Sequence, residues 1–173
     1  MQATVNLSQS DTSEGLKQAI EGRIQALANV HSLFVDSRWI GAELSAIATG
    51  EFAPYSEKSK TRVRINGPQV LLEPSAAQTI AVTLHELATN AAKYGALSVE
   101  NGQVDLQWSH EAGGRLHLRW TETGGPAVAT PTRKGFGARV IEQMIAQLKG
   151  ETRLDWRAEG LVCEITLQQG SDR

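Results

Sequence analysis

The stretch Leu84-His85-Glu86-Leu87-Ala88-Thr89-Asn90-Ala91-Ala92-Lys93-Tyr94-Gly95 organises the chain around it. Ile80, Leu84, Leu87 and Ala91 recur at helical spacing and give one apolar stripe to lay on a sheet. A second stripe runs Val82, Glu86, Asn90 and Lys93, with Tyr94 a turn beyond Asn90. Glu86 and Asn90 lie one turn apart, so their oxygens project side by side. A carboxylate and an amide carbonyl in that arrangement suit a hard divalent ion such as Mg²⁺, shared with nucleotide phosphates. Lys93, one turn further on, then faces a phosphate. A zinc-protease helix of the H-E-x-x-H type is excluded, because Thr89 stands where the second histidine must be. A polar helix face is most often merely solvated, so the helix alone does not decide the function.

Working outward, Pro74 suits the first helical position and Ser75 with Gln78 has capping-box spacing. Gly95 is the expected left-handed stop. Upstream, residues 62–72 alternate around Asn66-Gly67, which predicts a hairpin. Downstream, Val104, Leu106 and Trp108 share one face of a strand, and Leu116, Leu118 and Trp120 one face of the next, with Gly113-Gly114 in the turn. A helix is expected over 136–149, carrying Val140, Met144, Ile145 and Leu148 on one side and ended by Gly150. Two last strands follow, with Leu154 and Trp156 inward in one and Cys163, Ile165 and Leu167 in the other. The sum is an α+β two-layer sandwich, a mostly antiparallel sheet with helices gathered on one face.

The N-terminal third is helical in pattern. Asp11 and Glu14 have capping-box spacing, and Leu16, Ile20, Ile24, Leu27 and Phe34 mark a helix from about residue 12 to 34. Trp39 to Thr49 reads as a short helix stopped by Gly50, followed by a loop over 51–60. His31, alone on its helix, reads as a hydrogen-bonded packing residue. The 173 residues make room for one ordinary domain and a small appendage, divided here as 1–50 and 51–173. Seventeen basic against 19 acidic residues give no sign of nucleic-acid affinity. No apolar run approaches the ~18 residues of a membrane span, and a cytoplasmic location is expected. The single cysteine, Cys163, sits in an apolar alternating run and is expected to be buried and inert.

The string H-E-L-A-T-N-A-A-K-Y-G-A-L-S closely resembles the asparagine box of the ATP-binding domain in sensor histidine kinases, in the variant family named for its His, Trp and Glu. His85 corresponds to the diagnostic histidine. Trp120-Thr121-Glu122-Thr123-Gly124-Gly125-Pro126 resembles the family's W-x-E-x-G-G-P box, and Lys134-Gly135-Phe136-Gly137 its second glycine motif, ahead of a helix. Arg23 to His31 resembles the R-x-x-A-L-A-x-x-H run of the family's second dimerisation helix. The resemblance covers about residues 15–168. It implies the ATP-binding sandwich shared with gyrase, Hsp90 and MutL, with ATP and Mg²⁺ as cofactors. Asn90 would hold the metal, with Glu86 reaching it through a water or acting as base beside His85. Lys93, Tyr94, Gly124, Arg133, Lys134, Gly135, Phe136 and Gly137 would complete the nucleotide site, under a lid over 126–134. Glu122 would accept a hydrogen bond from the adenine amino group, which guanine lacks. Helix-preceding glycines let backbone N–H groups meet phosphate oxygens.

The family's H-R-x-K-N run, which carries the phosphoacceptor histidine, has no counterpart here. His31, His85, His110 and His117 are the chain's four histidines, and none has that context. The acceptor is therefore expected upstream of Met1, in a longer sensor with its own input segments. Expected partners are a response-regulator receiver domain, those upstream segments and a second copy through Leu16, Ile20, Ile24 and Leu27. An anti-sigma-factor-type serine kinase shares the sandwich and the asparagine box, but the Trp-Glu box argues against it. A nucleotide-sensing or dimerisation module without transfer activity is the alternative from another class.

Overall fold

A computed structural model of the chain describes residues 13–56, 62–129, 131 and 135–169. In chain order the elements are α1 (Ser13–Asp36), β1 (Ala42–Glu43), α2 (Leu44–Ser56), β2 (Val63–Asn66), β3 (Leu71–Leu72) and α3 (Pro74–Lys93). A 3₁₀ turn (Ala96–Ser98) then leads to β4 (Gln103–Glu111), β5 (Arg115–Thr123), α4 (Phe136–Gln147), β6 (Glu151–Arg157) and β7 (Gly160–Gln168). The alternating runs build a five-stranded sheet in the order β2-β4-β5-β7-β6, antiparallel except for the β2–β4 pair. The inward residues are those the alternation marks. Val104, Leu106, Trp108, Leu116, Leu118, Trp120, Cys163, Ile165 and Leu167 are all buried in one core with Ile80, Leu84, Leu87 and Ala91 of α3. The α+β two-layer sandwich is therefore the fold. No helix among the described residues is long and apolar enough to cross a membrane.

The region 62–72 is not a hairpin. β2 runs parallel to β4, while β3 leaves the sheet and pairs with β1, Ala42 opposite Leu72. Trp108 explains the departure: its indole donates to the Pro68 carbonyl at 2.7 Å, and a Cβ on Gly67 would lie 2.3 Å from its ring. The indole thus takes the space into which a hairpin would fold. Gly50 does not end a helix either, and lies inside α2. The residues just beyond it carry the helix on, because Phe52 stacks on Trp120 (5.4 Å, 17°) and Glu51 bonds to His85. Tertiary contacts of this kind outweigh the ~1 kcal/mol helix penalty of one glycine.

At α3 the opening is Pro74 at the first position, with Glu73 as N-cap and no side-chain cap bond, so the Ser75–Gln78 box does not form. Gly95 is extended (φ −110°), not left-handed. It is glycine for want of room: a Cβ there would lie 2.1 Å from Glu122 Oε2. The final helix stops at Gln147, two residues early, and Lys149 takes the left-handed turn (φ 55°) ahead of Gly150. In α1 the buried face is Arg23, Ala26, Val30 and Phe34. Ile24 is 60% exposed and Leu16, Ile20 and Leu27 are half-buried, so of the expected stripe only Phe34 is fully inside. The helix folds back on the sandwich, against α3 and α2. The Asp11 cap lies outside the described residues.

Candidate nucleotide site

The polar stripe of α3 is solvated only at its Lys93 end. Glu86 is buried at 8% exposure, and its Oε1 accepts a 2.6 Å hydrogen bond from Arg23 Nε on α1. Both side chains are sealed from water, at 11% and 6% exposure. The guanidinium lies over the Phe136 ring, 4.3 Å from its centroid. Phe136 is the first residue of α4, so one arginine ties α1, α3 and the second glycine motif together. On the other side of the carboxylate, a Cβ on Gly137 would lie 2.9 Å from Glu86 Oε2 and 3.1 Å from Asn90 Nδ2. Glu86, Asn90 and Gly137 thus meet in one place, as their motifs require.

His85 stands one residue to the side. Its Nδ1 is 3.2 Å from Oε2 of the buried Glu51. Its Nε2 abuts α1, where a Cβ on Gly22 would lie 2.5 Å away. The diagnostic histidine therefore bridges α2 and α1 beside the site.

Glu122 comes from the end of β5 and is 4% exposed. Its Oε2 accepts the Ala96 N–H at 2.9 Å, and its Oε1 accepts the Trp120 indole N–H at 3.1 Å. Burial pushes its carboxyl above the ordinary range, and these two hydrogen bonds offset part of the rise. The carboxylate thus pins the turn after α3 to the strand that carries the Trp-Glu box. Gly124, with φ 70°, packs beside Asn101, and a Cβ on Gly125 would strike Ala96.

Lys93 and Tyr94 are exposed past Asn90, Tyr94 at 74%. Gly135 is the N-cap of α4 and makes no side-chain cap bond. Arg133 and Lys134 lie outside the described residues, as does part of the 126–134 lid. His31 is hydrogen-bonded to Gln78 at 3.1 Å, the packing role expected of it. Cys163 is buried, with its thiol pushed up to about 12 by that burial. Sequence reasoning missed Arg23, Glu51 and Ala96. Arg23 stood in plain view at the head of the R-x-x-A-L-A-x-x-H run, but spacing within one helix gives no sign of a partner 63 residues away.

Residues 1–69 match the HWE histidine kinase family model. The chain is 34% identical over 154 residues to a blue-light-activated histidine kinase of Brucella anthropi, covering 87% of this chain and 31% of that protein. A Brucella ovis counterpart is 33% identical over 147 residues, covering 83% and 30%. The chain thus spans about a third of the length of these relatives. Among solved structures, the histidine kinase domain of an Erythrobacter litoralis blue-light-activated kinase superposes with a TM-score of 0.69 at 17% identity, over 86% of this chain and 74% of that one. A mycobacterial sensor histidine kinase superposes at 0.56 and 16% identity, over 73% and 94%. The fold is that of the histidine kinase ATP-binding domains, and the sequence matches assign the chain to the HWE histidine kinase family.

Proposed function

We propose that this chain is the ATP-binding catalytic region of a sensor histidine kinase, acting in the cytoplasm with Mg²⁺. It would pass the γ-phosphate of ATP to a histidine on a longer protein and from there to a response regulator. The observation that carries this reading is the convergence of Glu86, Asn90 and Gly137, because it brings polar groups of two separate motifs together. The donors fit the ion. An amide and a carboxylate offer hard oxygens, and Mg²⁺ takes few protein ligands when phosphates supply the rest. Among the described residues no cluster of three or more His, Cys, Asp or Glu competes for another metal.

When bound, Mg²⁺ would neutralise phosphate charge. The remaining work falls to the protein and is chiefly positioning. Asn90 would hold the ion through its amide oxygen, and Glu86 Oε2 would either orient a water on the ion or accept the proton of the attacking imidazole. Backbone N–H groups at the start of α4 would meet phosphate oxygens. Glu122 would read the adenine amino group with a free lone pair of its carboxylate. Lys93, Tyr94, Arg133 and Lys134 would rim the triphosphate. Residues 1–50 would belong to the dimerisation region and 51–173 to the ATP-binding domain.

The test is to incubate the longer protein containing this chain with γ-labelled ATP. Acid-labile, alkali-stable label that passes to a receiver domain and disappears in Asn90→Ala supports the reading. Acid-stable label on serine would favour the anti-sigma type of kinase instead.

A further inference from the structure

Arg23 belongs to a helix that resembles a dimerisation element, yet its guanidinium reaches Glu86 of the candidate nucleotide site. Its Nε grips one oxygen of Glu86 at 2.6 Å, while the other oxygen faces Gly137 and Asn90. Carboxylate torsions are soft, and an unanchored Glu86 would sample several orientations. The hydrogen bond to Oε1 removes that freedom. Phe136 holds the guanidinium from its flat face while Glu86 accepts from its edge, so α3 and the first residue of α4 both fix the arginine. Both charged groups are buried, and water does not screen or replace the contact.

We propose that Arg23 is a positioning residue of the nucleotide site, which turns Glu86 Oε2 toward Asn90 and so sets the strength of Mg²⁺-dependent ATP binding. This rests on the nucleotide reading given above and extends it, because it makes α1 part of the site. Any displacement of α1 is then felt at Glu86. The fit at Gly22 reinforces the coupling: α1 approaches α3 so closely that a methyl group there would meet His85 Nε2. A merely structural ion pair predicts a different result. Its loss lowers stability but leaves the ratio of ATP affinities with and without Mg²⁺ unchanged.

Calorimetric titration of ATP into the chain, with and without Mg²⁺, separates the two. Groups that orient a metal ligand typically contribute about 10–100-fold to metal affinity. Arg23→Ala should therefore lose the Mg²⁺ enhancement by about that factor while retaining Mg²⁺-free nucleotide binding. Arg23→Lys, which keeps the charge but not the planar fork, should fall in between. Gly22→Ala guards against misfolding of the arginine variants, since it improves helix propensity and only pushes α1 from His85. It should weaken the enhancement in the same direction. Gly50→Ala, with no atom within 4 Å of the added methyl, is the unchanged control. An unaltered Mg²⁺ ratio in both Arg23→Ala and Gly22→Ala overturns the proposal while leaving the nucleotide reading intact. Absence of ATP binding by the unmutated chain overturns both.

Discussion

Glu122→Ala is expected to cost the fold several kcal/mol. The carboxylate is the acceptor for the Ala96 N–H and for the Trp120 indole, and both donors are buried with it. Removing it strands two donors at about 1–3 kcal/mol each, or about 2–6 kcal/mol together. Domains of this size are stable by only roughly 5–15 kcal/mol, so the loss is readily measured by urea unfolding followed through tryptophan fluorescence. A loss below about 1 kcal/mol would refute the pinning role. The same group gives a pH signature. Its folded carboxyl titrates above the ordinary 4.5, chiefly because of burial. An acid raised in the folded state binds its proton more tightly there than when unfolded. Its contribution to stability is full below the unfolded value and declines as pH rises through the folded one. Relative to Glu122→Gln, the unmutated chain should therefore lose stability as pH rises from about 4 through its raised folded value. A constant difference across that window would contradict the burial argument.

Other outcomes follow from the same contacts. If Glu122 reads adenine, ATP should bind more tightly than GTP, and Glu122→Gln should lose much of a preference of about 1.5–3 kcal/mol; equal affinities in the unmutated chain would move the base elsewhere. Gly95→Ala keeps an ordinary φ but drives a methyl into Glu122 Oε2, so it should erode the same preference and also lower stability; an unchanged ATP:GTP ratio counts against it. Cys163, its thiol pushed up to about 12, should ignore a disulfide reagent at pH 8 until the chain is unfolded in denaturant. The chain should bind ATP without labelling its own histidines. His110 and His117 lie toward the far end of the β4–β5 hairpin from Glu122, His110 about 20 Å away by strand rise, and His85 is held by Glu51. Acid-labile label on any of the four would contradict this.

What was legible in the sequence was periodic or motif-borne. Alternation marked the inward faces of β4 and β5, because one face of each is buried in the core and the other is more exposed; in β6 Leu154 and Trp156 are only half-buried, and in β7 Val162 is buried on the face opposite Cys163. What was not legible depended on partners distant in sequence. Asn66-Gly67 looks like a hairpin turn locally, and Trp108 overrules it from 40 residues away. Gly50 looks like a stop, and Phe52 carries the helix through it to reach Trp120. The α1 stripe was chosen by hydrophobicity, whereas the buried face is chosen by a charge: Arg23 goes inward to meet Glu86, and Ile24 is left outside. For the site, the motifs supplied the residues but not their neighbours. Glu122 was expected at a base, and the structure shows it holding a turn.

The central claim is that the second half of α3 holds Mg²⁺–ATP, and Asn90 tests it most directly. Asn90 is half-buried on a polar face and outside the core, so Asn90→Ala should change stability by under ~1 kcal/mol. Calorimetric titration with Mg²⁺–ATP should give a clear binding heat for the unmutated chain and none that depends on Mg²⁺ for the variant. Equal Mg²⁺–ATP affinity in the two proteins would contradict the account.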